Sequence, residues 1–237
     1  MPEHVDIRVS PSLDPEIFKV EGYSDDTRMY VDSVVNAFND AYVTVGKVHS
    51  ARELWAQNPS VTPENATRIV GHEADKQKNR VLNRLALAER DLRANIRHAE
   101  SQLTEPLTEQ AGRGTLNTEV RDHAKRLDRP AREAFMREAF ERGDGLTLEA
   151  VLGAPHYLSG FTKTDHDHFI RRYHERRNPQ LVQRLDLMNR VLEKFERALP
   201  IVDSAFAKAV GATPSIVARL EQANEQAKAA LNIQPTE

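Results

Sequence analysis

The run Ala66–Leu103, ATRIVGHEADKQKNRVLNRLALAERDLRANIRHAESQL, contains no proline and a single glycine, Gly71. Its apolar side chains recur at alternating steps of four and three: Val81, Leu85, Ala88, Leu92, Ile96, Ala99, Leu103. That alternation keeps one stripe on one side of a helix, as in a coiled-coil seam. Thr62 can cap the start and Pro63 fits the first helical position, while Pro106 sets the far limit. A helix of this length extends about 60 Å at 1.5 Å per residue. Helices draw most of their stability from packing an apolar face, so this stripe must lie against other helices.

A second seam of the same kind runs through Leu181, Leu185, Met188, Leu192, Phe195 and Leu199. Asn178-Pro179 opens it and Pro200 closes it. The remaining segments read the same way. Tyr30, Val31, Val34, Val35, Phe38, Ala41, Tyr42, Val45 and Val48 mark one wide face of a helix over residues 27–56, with Gly46 as a point of bending. Residues 110–118 read as a loop. A third helix is expected over 119–142, kinked at Pro130 and stopped at Gly143-Asp144-Gly145. Thr147 caps a short helix, and Thr164 with Asp167 resembles a capping box for the next. Thr213-Pro214 opens a last helix in which Ile216, Leu220, Ala223, Ala227 and Leu231 are expected inward.

The fold expected is therefore all-α: an elongated bundle of long antiparallel helices with coiled-coil-like packing. A short N-terminal arm precedes it. Val5, Ile7 and Val9 alternate as a strand would, but Pro2, Pro11, Pro15 and the acids between them favour an extended arm over residues 1–26. A long helical hairpin is expected over 27–109, and a second helical region over 118–237, packed on the first or continuous with it.

Composition narrows the function. Of 237 residues, 39% are hydrophobic, 29% charged and only 6% aromatic, which suits a thin helical core better than a compact catalytic one. No cysteine is present, which excludes disulfides, thiolate nucleophiles and cysteine-held metals and fits a reducing compartment. The formal charge of −3 implies no dominant pull toward nucleic acid or anionic lipid. No secretory signal and no membrane-spanning run are read in the chain.

Three clusters merit a chemical reading. His156, His166, His168 and His174 stand near Asp165, Asp167 and Glu175. A metal could use such groups, but His166 and His168 diverge by about 200° on a helix, and polar surface or capping roles are the simpler reading. Arg171, Arg172, Arg176 and Arg177 form the most basic local tract and could contact phosphates, although Arg171 and Glu175 have the spacing of a helical ion pair. Residues 132–153 outline a helix-turn-helix whose second helix is too short to read bases. No paired carboxylates, phosphate-binding glycine loop or nucleophile elbow is found.

The expectation is a non-enzymatic structural or assembly protein without cofactor. It would be a subunit of a larger oligomer of virion or scaffold type, partnered by itself or by other protein subunits, in the cytoplasm or in a particle assembled there. A nucleic-acid-associated module using residues 171–177, and a metal-binding helical bundle, are the alternatives.

Overall fold

The computed structural model describes residues 6–107 and 114–230. Among them the chain is all-helical: nine α-helices, four 3-10 turns and no strand. The helices are α1 (Asp32–Ala56), α2 (Pro63–Leu103), α3 (Gly114–Arg126), α4 (Arg129–Arg142), α5 (Gly145–Leu152), α6 (Lys163–Arg177), α7 (Pro179–Ala198), α8 (Ile201–Val210) and α9 (Pro214–Ala230).

Local chemistry explains the boundaries. The α2 start follows the expected cap, with Asn65 N donating to Thr62 Oγ1 at 3.3 Å. The single helix expected over 119–142 is corrected to two. Asp128 accepts from Ala131 N at 2.9 Å and so begins a new helix, with Pro130 in its first turn rather than in an interior. Of the loop expected over 110–118, residues 114–118 are helical and the rest lie outside the described residues. The capping pattern before α6 sits two residues earlier than expected. Thr162 Oγ1 accepts from Asp165 N at 3.2 Å and donates to the Asp165 carboxylate at 2.7 Å. Both threonine frames fit the pattern; the earlier one places Phe169, Ile170 and Tyr173 in the core.

The chain divides into two compact units, Met1–Ala94 with Leu187–Glu237, and Asn95–Asp186. The division falls inside α2 and α7, where no linker composition announces it. In the first unit α1 packs chiefly on α8. Over its described residues the segment 1–26, expected as an extended arm, forms 3-10 turns at Pro11–Leu13 and Pro15–Phe18, and the helix expected from residue 27 begins at Asp32, after a further 3-10 turn at Arg28–Tyr30. Val9, Leu13 and Phe18 are buried, whereas Ile7 and Met29 are exposed. Phe18 stacks on Phe38 at 4.2 Å between ring centres, and Phe38 meets Phe195 of α7 edge-on at 5.4 Å. Gly46 lies within continuous α1 and marks a close approach: a Cβ there would stand 3.0 Å from Asp6 Oδ2. The carboxylate of Asp6 is held by Arg8, which also reaches Glu53 at 2.9 Å.

The second unit is built on α3 to α6 around Ala124, Met136, Phe140, Val151, Leu152 and Phe169. Arginines close several of its helix ends. Arg132 donates to Ala124 O at 2.8 Å, to Leu127 O at 2.6 Å and to Gly160 O, while Arg121 donates to Ala150 O at 3.1 Å and Arg176 to Phe140 O. These carbonyls belong to last turns or to the turn after a helix, where the intrahelical ladder runs out; Ala124 O and Phe140 O also accept from Leu127 N and Gly143 N.

Candidate interaction surface

Helix α9 was expected to bury its stripe, and the structure corrects this. No residue of α9 is buried, and Ile216 is 40% exposed. Leu220 is half-buried, Ala223 and Ala227 are exposed, and Leu231 lies outside the described residues. The helix follows α8 after a bend of 49°.

Two contacts fix α9 on α2. Val217 fills the notch left by Gly71, whose missing Cβ would stand 2.6 and 2.7 Å from the two Val217 methyl groups. One turn away on both helices, Arg68 NH1 donates to Glu221 Oε2 at 3.0 Å. The solitary glycine of the opening run is therefore a contact device rather than a flaw in the helix. Beside this contact a groove of about 610 Å³ opens between α2, α8 and α9, walled by Ala74, Phe206, Val210 and Pro214. Its charged rim is neutralised internally, with Lys78 lying 3.4 Å from Asp75 and 3.5 Å from Asp203. On α2's α1-facing side a second groove of about 660 Å³ is lined by Val48, Ala51, Trp55, Ile69 and Val70.

The seam residues are placed as follows. Val81, Leu85, Ala88, Leu92, Ile96, Ala99 and Leu103 of α2 are all buried. On α7, Leu185, Met188 and Phe195 are buried, but Leu181 and Leu192, and Leu199 just past the helix end, are only half-buried. Leu187, Val191 and Ala198 are buried with them, so the covered face is turned by about one residue from the stripe. Ion pairs flank the long helix on several sides: Arg80 and Arg84 each lie 3.3 Å from Asp40 of α1, and Arg93 lies 2.6 Å from Glu196 of α7.

Each arginine of the tract on α6 has a partner within the chain. Arg171 pairs with Glu175 at 2.9 Å. Arg172 lies over the Phe140 ring at 4.8 Å, Arg176 closes α4, and Arg177 bonds Tyr173 Oη and lies 3.3 Å from Glu149. The side chains remain exposed, yet each has a partner within the fold.

Of the four histidines, His156 and His166 approach each other, with ring centres 6.4 Å apart. His156 Nδ1 lies 3.1 Å from Phe161 O, and His174 Nε2 lies 2.8 Å from Glu105 O. His168 is exposed, whereas His166 is buried with its Nε2 lacking a hydrogen-bond partner. Burial pushes His166 below the usual imidazole value, and His49 of α1 is lowered for the same reason. Among the described residues no group of three or more His, Cys, Asp or Glu side chains is placed to hold a metal ion. Nor, among them, is any single helix long and apolar enough to cross a membrane.

No protein-family model, curated protein or solved structure matches this chain. A purely helical fold with no cysteine and, among the described residues, no metal-holding cluster is consistent with a non-catalytic helical protein. Sequence reasoning missed the helix-closing arginines, because a guanidinium that caps a distant helix leaves no local spacing. The role of Gly71 had a signal, an isolated glycine in a strong helix, but nothing in the sequence names Val217 as its occupant.

Proposed function

We propose that this protein is a non-enzymatic helical structural or assembly subunit that associates with further copies of itself or with other protein subunits. The long helices α2 and α7 would pack in antiparallel, coiled-coil-like fashion. Its setting would be the cytoplasm, or a particle of virion or scaffold type assembled there. The observation that carries this reading is α9. It has a regular apolar stripe, yet its own chain buries none of its residues. An amphipathic helix gains its stability by covering such a stripe, and a second polypeptide is the direct means of covering it.

Sedimentation equilibrium at micromolar concentration tests the proposal. The 26.8 kDa chain is expected to sediment at twice that mass or more. Leu220→Glu, which sets a carboxylate in the centre of the stripe, is expected to return it to a monomer with its helical circular dichroism intact. A parent chain that stays monomeric across that range overturns the reading.

A further inference from the structure

We infer that residues 6–10 form a strap that acid releases from α1, and that His49 triggers the release. The release takes place within a single chain and does not depend on self-association.

The strap is held on one face of α1. Arg8 donates to Ser50 Oγ at 3.0 Å and to Glu53 at 2.9 Å, and Tyr42 Oη donates to Asp6 O at 3.2 Å. Gly46 leaves room beneath it, for a Cβ there would stand 3.0 Å from Asp6 Oδ2 and 3.7 Å from a Val9 methyl group. Tyr42, Gly46, Ser50 and Glu53 follow one another at steps of four, four and three, so they share a face of the helix. Among residues 6–12 only Val9 is buried, whereas Leu13 and Phe18 beyond them have no exposed surface. The strap is therefore held mainly by partly exposed polar contacts, each of which contributes little. It can lift without unseating the apolar segment behind it.

His49 lies at the edge of the same face, three residues after Gly46 and four before Glu53, and it is buried. Its Nε2 has no hydrogen-bond partner. The charged groups around it are Arg8 and Asp6 of the strap, Arg52 of α1 and Lys208 of α8. The turn Pro11–Leu13, which packs on both α1 and α8, carries no charge. Asp6 is already matched, since Arg8 Nε and NH2 donate to its two oxygens at 2.9 and 2.7 Å. An imidazolium at position 49 would add a cation to the three already there and would bury an N–H that has no acceptor. Burial and Arg8 together hold His49 below its usual 6.5. The closed strap thus keeps its full stability above pH 6.5 and loses it as pH falls toward the depressed closed-state value. Lifting the strap is the opening that gives up least, and it both removes Arg8 from the ring and admits water.

Hydrogen exchange of the Arg8 and Val9 amides reads the strap, since the first is bonded to Asp6 Oδ1 and the second to Asp6 O, each at 3.0 Å. Asp6, lowered to about 2, stays charged throughout the range from pH 7 to pH 5. With intrinsic exchange rates divided out, the protection of both amides is expected to fall by about five- to thirtyfold over that range. The α1 amides of Phe38 and Ala41 are expected to keep theirs. His49→Gln, which carries no charge at any pH, is expected to abolish the fall, and His166→Gln to leave it in place. Should His49→Gln lose its helical circular dichroism, the imidazole resonance of His49 is followed in the parent chain, where it is expected to titrate with the same midpoint as the exchange. Constant protection between pH 7 and pH 5 overturns the inference. So does a fall that survives His49→Gln or disappears in His166→Gln, and so does an imidazole whose midpoint differs from that of the exchange.

Discussion

At the scale of single residues, the fold is held at several points by polar groups whose partners are far away in sequence. Arg132 ties the end of α3 to the turn at Gly160 through four carbonyl contacts. Arg132→Ala leaves several of those oxygens without donors, and we expect a loss of about 1–3 kcal/mol in urea unfolding. Arg132→Lys is expected to restore only part of it, since an ammonium cannot span the same fork. Two buried histidines contribute to the acid response. His49 and His166 both titrate below the usual value of 6.5, chiefly through burial. The unfolded chain then takes up protons before the folded one. Their contribution is complete above pH 6.5 and is lost as pH falls below it toward the depressed folded values. The melting temperature is expected to drop between about pH 6.5 and 5, and His49→Leu with His166→Leu is expected to flatten that slope. Asp6 acts at lower pH. Its hydrogen bond to Arg8 lowers it from 3.8 to about 2, so its share is present above 3.8 and is lost as pH falls through 2.

At the scale of elements, helix positions follow from turn chemistry, and helix contacts follow from shape. Thr62-Pro63, Asn178-Pro179, Pro200 and Thr213-Pro214 were legible as boundaries because each residue type favours one backbone state at one position. Pro130 misled for the same reason: proline suits both a kink and a first turn, and only the Asp128 side chain on Ala131 N decides between them. The α2–α9 contact depends on an absent atom. Gly71→Ala is expected to push Val217 out and speed amide exchange across α9 by at least about tenfold, while the α1 amides keep their protection. Val217→Ala in the same chain is expected to recover much of the loss, which separates a steric effect at the crossing from any change in the propensity of α2.

At the scale of the whole molecule, core and surface stripes obey the same spacing but have opposite fates. Leu85 has no exposed surface, and Leu85→Asp is expected to cost at least about 3 kcal/mol, read as a lower melting temperature and lost helical signal. Leu220→Glu is expected to change the mass in solution and leave the melting temperature of the monomer nearly unaltered. The contrast checks the assignment of one stripe to folding and the other to association. A substitution at Leu220 as damaging as that at Leu85 would place α9 in the core instead.

The sequence by itself determined that this chain is helical and where most of its helices start and stop. Those properties depend on neighbours a few residues apart: period, caps, prolines and glycines. It also excluded cysteine chemistry outright. Only the tertiary structure decided that Gly71 receives Val217, that the arginines of α6 are engaged by Phe140, Tyr173, Glu149 and Glu175, and that no residue of α9 is fully buried. Burial depends on which distant surface arrives to cover a face, and the period of a stripe is identical whether that surface belongs to the same chain or to another.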